Sequence, residues 1–463
     1  KGFEFLNIQH KFNQINWNFN LHKKLWTYNL NYFDFLNQKE ISEKQGLELI
    51  TDFINKYDKL IDGKEPYPTS LRIINWIKFI STHKISDDSI YKLIRKDANR
   101  LMKNLEYHLL GNHLLENGFA LFFAAHLFND KKYFNLSSKI LTKELNEQIL
   151  EDGGHFELSP MYHNLMLYRV LDCIHIVQLN PIKHNRKILK FLKERAEKML
   201  SWTENMTFNS EYMPLFNDSA NGIVPNPGII IDYAKTLNIN SKKLTLSSSG
   251  YRKISTHNYE LICDVGPIGA SYQPGHGHAD TFNFELYIKN NPIIVDTGTS
   301  TYNIGPIRSY ERSTKAHNTV VVNDKNSSDV WSGFRVGKRA DVFDLTETKE
   351  SIKASHNGYS GINVTHSREW KHSKNEIIIK DSIQGKKDVK GVACFHFHPS
   401  VKTILNQNVL IIEPYCKIYF ENQFELNISN YKYSPEFNTQ LSSNCLEVSF
   451  KRNLTTKIKL FTD

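Results

Sequence analysis

The sequence predicts an α+β chain in two parts, a helical domain over residues 1–245 and an antiparallel β-sandwich over 246–463. Three observations carry this. At 463 residues the chain exceeds one ordinary hydrophobic core and calls for two or three units. From residue 40 to 240, apolar side chains recur at spacings of three and four, in segments 43–56, 70–82, 88–109, 113–128, 131–149, 161–178 and 186–204. After Ser247 the texture changes to short β-branched and aromatic runs, among them TFNFELYI, NPIIVDTG, NTVVVN, NEIIIKDSI, GVACFHFHP, CLEVSF and TKIKLFT. Helices followed by strands argue for segregated α and β domains rather than one mixed sheet.

Short connections make neighbouring helices antiparallel, stacked as a bundle, a solenoid or a curved toroid. The Ser/Lys/Thr stretch 241–249 carries no amphipathic pattern and is the expected joint. Charged residues make up 23%, and no run of about 18 apolar residues is present, which excludes a membrane-spanning helix. The net charge of +9 steers polyanions: nucleic acid, an anionic membrane surface or an acidic polysaccharide. No compact Lys/Arg block marks a nucleic-acid patch, and Lys is abundant throughout. The five cysteines lack CxxC spacing and read as small buried apolar residues. Lys1 begins the chain without an initiator Met or an apolar leader, so a leader lost from it would favour a periplasmic or secreted protein.

His276-Gly277-His278, within YQPGHGHAD, sets two imidazoles two residues apart, on one face if the segment is a strand. One can then bind metal while the other meets substrate. Asp296 in IIVDTGTSTY and His317 in STKAHNTVVV complete a His/Asp/His set suited to one tetrahedral zinc with an open position. The competing reading is a group of hydrogen-bonded core residues.

Three polar islands punctuate the helical half. In GNHLLENG, Asn112, His113 and Glu116 can converge at the start of an apolar helix, unless Asn112 is simply its cap. In DGGHFELSPMYH, Ser159-Pro160 starts a helix, and Tyr162 and His163 fall in its first turn, where the positive helix end would help a phenol ionise. In YPTSLRIINW, Arg72, Asn75 and Trp76 share about one turn, offering a carboxylate grip and a stacking face, or an ordinary half-buried helix. Beyond the joint, RSYERSTKAH places Tyr310 between Arg308 and Arg312.

The succession GNHLLENG, SPMYH, GHGHAD, IIVDTG and RSYERSTKAHNTVVV resembles the heparinase II/III-like polysaccharide lyases, a group that includes some alginate lyases. The resemblance runs from WTYNLNYFDF near residue 26 to HSREW near 370. It implies an (α/α) toroid joined to an antiparallel β-sandwich, with a cleft for an acidic sugar chain, and β-elimination at a uronic acid. Motif by motif, it implies that Asn112 and His113 neutralise the C5 carboxylate, that Tyr162 is the base, or base and acid both, and that His276 is a second proton-transfer group. Tyr310 resembles an additional catalytic tyrosine of some relatives. His278, Asp296 and His317 resemble the ligands of a single zinc, read here as a scaffold that positions His276 rather than as a Lewis acid. Glu116 matches an acidic position used in only part of the family. Arg72, Asn75, Trp76, His163, Arg308 and Arg312 complete the substrate-side expectation.

This chemistry suits these residue types. Removing the C5 proton builds negative charge on the carboxylate, so donors aimed at it matter most, and losing one costs about 2.7–4 kcal/mol. A phenol that titrates near about 10 must be helped to ionise by nearby positive charge. Three alternatives use overlapping features: a uronate C5-epimerase, a glycoside hydrolase and a non-catalytic acidic-glycan-binding protein. The islands are rich in Asn, His and Tyr rather than paired acids, which counts against hydrolysis.

Overall fold

The computed structural model describes residues 1–180, 185–385 and 389–461. The chain forms two compact units. One comprises Lys1–Ile149, Leu165–Glu197 and Tyr233–Asn240, the other Leu150–Asn164, Lys198–Asp232 and Ser241–Asp463.

The first unit opens with a hairpin, Gly2–Phe5 paired to Ile8–Lys11, and continues through helices Lys23–Tyr32, Glu43–Lys56, Pro66–Thr82, Asp88–Lys103, Gly111–Phe128 and Lys131–Gln148. Local chemistry sets the starts. Ser42 and Gln45 form a reciprocal capping box, Asp87 and Asp130 each accept two backbone N–H groups, and Pro66 takes the first helical position. Two helices are central. Pro66–Thr82 buries every residue from Pro68 to Ile77, and Gly111–Phe128 buries nearly all of its length, whereas Asp88–Lys103 buries only one stripe.

The second unit is built on two antiparallel sheets. The larger orders its strands Val342–Glu347, Ser351–His356, Val364–His372, Glu376–Gly385, Leu441–Leu460, Cys416–Tyr433, Val409–Ile412 and Thr403–Asn406. Gly391–His396 pairs with both Leu441–Leu460 and Val320–Val322. CLEVSF and TKIKLFT, which read as two strands in sequence, are one strand, with Glu376–Gly385 on its far half and Gly391–His396 on its near half.

The smaller sheet runs Tyr251–Ser255, Tyr259–Asp264, Phe284–Ile288, Asn291–Ile294. Its two central strands are buried throughout. Alternation explains why. Leu261, Cys263, Phe284 and Leu286 join a core shared with Ile379, Phe395, Ile418 and Leu446 of the larger sheet, while Ile262 and Tyr287 face Trp202, Met206, Phe208 and Phe216.

Candidate active site

Each unit carries a polar constellation that includes histidines marked out in the sequence. In the helical unit, His113 sits in the first turn of Gly111–Phe128 with its side chain 35% exposed. Its Nδ1 lies 3.1 Å from Glu106 Oε1, and its ring packs on Tyr67 at 4.5 Å between centroids. Glu106 is buried, and Asn117 braces it twice, donating from Nδ2 at 2.8 Å and accepting from the Glu106 N–H at 2.9 Å. Asn112 is buried beside His113, but it does not cap the helix. That position is Leu110, in a left-handed conformation, with Asn112 two residues inside.

Several substrate-side expectations for this unit meet a correction. Arg72 donates to Asp97 from Nε and Nη2 at 3.0 and 2.6 Å and to the Gly63 carbonyl at 2.7 Å, and is 1% exposed. Asn75 donates to the Tyr32 carbonyl, and Trp76 packs on Phe33 and Phe53. Glu116 is fully buried against Arg169 at 3.1 Å, and burial pushes its carboxyl upward against the pull of that guanidinium. These four are framework residues, because the helices that carry them lie at the centre of the unit.

In the second unit, the segment 271–280 is a succession of turns, not the strand that alternation requires. Pro274-Gly275 breaks the extension, and Gly277 N–H closes on the Pro274 carbonyl at 2.9 Å. A side chain at Gly277 would meet Ile268 at 2.6 Å. What unites the two histidines is a carboxylate that the sequence reading missed. Asp218 lies 2.9 Å from both His276 Nδ1 and His278 Nε2, one on each oxygen. Arg308 grips the same carboxylate through Nη1 and Nη2 at 2.5 and 2.8 Å. Burial works to raise the Asp218 carboxyl, but Arg308 and the two imidazoles outweigh it and hold it well below the usual range. An ionised carboxylate only accepts, so His276 donates to it from Nδ1, and Nε2 is the ring nitrogen left outside that bond.

His276 is 14% exposed and lies over the Tyr162 ring at 4.0 Å between centroids. Tyr162 stands in the first turn of Pro160–Leu179, where Ser159 Oγ accepts its N–H at 3.2 Å. Burial pushes the phenol up, opposed by its hydroxyl contact to Tyr302 at 3.2 Å, so the resting group is protonated and the helix start does not ionise it. Tyr302 is the neighbouring tyrosine. Tyr310 instead has Cys394, Cys445 and Glu447 as neighbours, with its phenol raised by burial.

The remaining expectations resolve into supports. Arg308 is spent on Asp218 and the Gly333 carbonyl. Arg312, pushed down to about 10 by burial, donates to the Gly277 and Trp331 carbonyls at 2.9 and 3.1 Å. His163 is fully buried, accepts from His155 N–H on Nδ1 and meets Met199 O and Thr203 Oγ1 on Nε2. Burial holds it neutral, pushed down to about 3.

Among the described residues, no three His, Cys, Asp or Glu side chains are arranged to hold a metal ion. His278 and His317 lie with ring centroids 5.3 Å apart, and His278 Nδ1 and His317 Nε2 are buried without a hydrogen-bond partner. Asp296 is committed elsewhere, accepting from His317 Nδ1 at 2.8 Å, Asn283 at 2.5 Å and Gly298 N–H at 2.9 Å. The set therefore offers two of the three expected zinc donors as it stands.

A helical unit followed by an antiparallel sandwich, with a phenol stacked under a carboxylate-held imidazole, defines a recognisable class. Residues 69–227 match the heparinase II/III N-terminus and residues 239–460 the heparinase II/III-like C-terminal region. The chain belongs to the heparinase II/III-like family. It is 25% identical over 252 residues to a heparin-sulfate lyase of Bacteroides stercoris, and 24% identical over 246 residues to one of Pedobacter heparinus. Those alignments take in 48% and 47% of this chain but only 37% and 36% of the relatives' own length. In fold, the chain is similar to a heparinase III (TM-score 0.72, 16% identity, 97% of this chain and 80% of that one). It is also similar to the Streptomyces coelicolor chondroitin AC lyase (TM-score 0.55, 7% identity, 94% and 74%). These neighbours identify the architecture as an (α/α) toroid followed by a β-sandwich.

Proposed function

We propose that the chain is a lyase that cleaves a uronate-containing acidic polysaccharide by β-elimination and leaves an unsaturated uronate end. Its relatives among the heparin-sulfate lyases favour a glycosaminoglycan over alginate. The observation that carries the proposal is Tyr162 stacked under His276, with the imidazole locked by Asp218 and Arg308. In the reaction, a base takes the C5 proton, the C5–H electron pair becomes the C4–C5 double bond, and O4 leaves and gains a proton. His276 Nε2 carries the lone pair and serves as base, as in a carboxylate-oriented imidazole elsewhere. Tyr162, resting protonated, serves as acid toward O4, with Tyr302 as its hydrogen-bonded relay. For Asn112 and His113, the proposed role is neutralisation of the C5 carboxylate.

Zinc binding is proposed on His278 Nδ1 and His317 Nε2, with Asp296 orienting the His317 ring from its Nδ1 side. Both orphaned nitrogens are on the ring edge opposite a carboxylate bond, the arrangement that leaves a lone pair for a metal. No catalytic step is assigned to it. Its test is metal analysis of the purified protein, with loss of zinc in His278→Ala.

A panel of uronate polymers, scored for new ultraviolet absorbance from C4–C5 unsaturated ends with Tyr162→Phe as control, tests the lyase reading. No absorbance on any polymer, or full activity in Tyr162→Phe, overturns it. Uptake of solvent deuterium at C5 without absorbance identifies an epimerase instead.

A further inference from the structure

A short ribbon, Val330–Trp331 paired to Arg335–Val336, borders the tyrosine and histidine of the second unit. Two buried arginines hold its backbone. Arg308 donates to the Gly333 carbonyl at 3.0 and 2.8 Å and Arg312 to the Trp331 carbonyl at 3.1 Å, and these are the guanidiniums that fix Asp218 and the Gly277 carbonyl. Ribbon and catalytic imidazole thus share one frame. Phe334, at the turn, packs edge-on to His276 at 5.6 Å and to Tyr302 at 5.0 Å.

Trp331 and Arg335 are directly opposed in the ribbon's register, so both side chains project from one face. The indole lies over Gly337, where an added Cβ would meet its ring carbons at 3.0 and 3.4 Å. Although backbone supports it there, Trp331 is 52% exposed, while the other five tryptophans are at most 2% exposed. Leaving so large an apolar surface in water forgoes the free energy of burying it. Arg335 is exposed, and its guanidinium makes no hydrogen bond or ion pair among the described residues. A free aromatic face beside a free planar cation, continuous with Tyr162 and His276, matches a sugar ring that bears an anionic group.

We propose that Trp331 and Arg335 form a subsite for an acidic sugar residue of the polysaccharide, with the indole stacked on the ring's C–H face and the guanidinium paired to its carboxylate or sulfate. The inference rests on the lyase reading for the nature of the polymer. Because Trp331 is the single solvent-exposed tryptophan, acrylamide quenching of intrinsic fluorescence reports on it directly.

The test uses Tyr162→Phe protein and a heparin-derived hexasaccharide. Saturating hexasaccharide is expected to lower quenching toward the level of a Trp331→Phe variant, and Arg335→Ala to raise its Kd about tenfold. Cellohexaose, being neutral, is expected to leave quenching unchanged. Undiminished quenching at saturation, equal shielding by cellohexaose, or shielding that follows protein concentration alone, as a second copy would produce, overturns the subsite. Unsaturated product from the wild-type protein, assayed in parallel, separates the two readings. Product without shielding sinks the subsite alone, and shielding without product sinks the lyase reading alone.

Discussion

Asp218 and Glu106 each hold an imidazole, and they do so in opposite ways. Asp218, in the second unit, is fully buried, accepts from two histidines and is neutralised by a two-pronged arginine. Glu106, in the helical unit, holds His113 alone and is braced by the Asn117 amide rather than by a cation. A charge with its own counter-ion can be sealed inside and used as a rigid anchor, whereas Glu106, buried but braced by an amide, lies next to a ring that is 35% exposed. Asp218 should therefore matter to folding as well as to chemistry, and Glu106 to chemistry alone.

Removing the anchor breaks the comparison most directly. Asp218→Ala strands the Arg308 charge in the interior and is expected to cost about 3–5 kcal/mol of stability together with activity. Urea unfolding checks it, and an unchanged midpoint would show that Arg308 finds another partner. His276→Ala comes next. It should keep the fold and lower kcat by roughly 10²–10⁴, the range for a positioned proton-transfer group. Wild-type turnover in that variant would remove His276 from the reaction.

Glu106→Gln keeps an acceptor for His113 but not the charge, and is expected to lower kcat about tenfold with less than about 1 kcal/mol of stability lost. A stability loss as large as that of Asp218→Ala would erase the distinction between the two carboxylates. The smallest effect concerns a histidine with no carboxylate bonded to it. His163 is held neutral, pushed down to about 3 by burial, so the unfolded chain takes up its proton first as pH falls from about 6.5. Its contribution is complete above about 6.5 and diminishes below. Between pH 7.5 and 5.5, wild type should lose about 1.4 kcal/mol more than His163→Gln, read from urea midpoints at the two pH values.

The fold was legible because its signals are local. The three-and-four spacing marked the helical segments from 43–56 onward, Ser159-Pro160 marked a helix start, and the change of texture after Ser247 marked the strands. Tyr162 and His276 were both singled out in the sequence and lie together, with ring centroids 4.0 Å apart. The failures are equally specific. His276-Gly277-His278 was read as alternating strand, although Pro274-Gly275 just before it was available as a turn signal. Arg72, Glu116, Arg308 and Arg312 were read as facing substrate because the charge of a side chain is written in the sequence and its burial is not. Tyr310 was singled out by its resemblance to an additional catalytic tyrosine and its place between two arginines, whereas Tyr302, which no motif marked, meets Tyr162.

The sequence by itself determined the succession of helices and strands and the stock of titratable groups, since periodicity, caps and turn residues act over a few positions. Only the tertiary structure decided which carboxylate meets which imidazole. Asp218 lies 58 residues before His276 in the chain, with nothing in NDS to point there, yet a hydrogen bond needs the atoms within about 3 Å. That proximity arises when apolar burial closes the second unit. Burial then keeps Tyr162 protonated, and the mutual pairing of Asp218 and Arg308 keeps both charged against burial, so the same event that folds this unit assigns these groups their charge states.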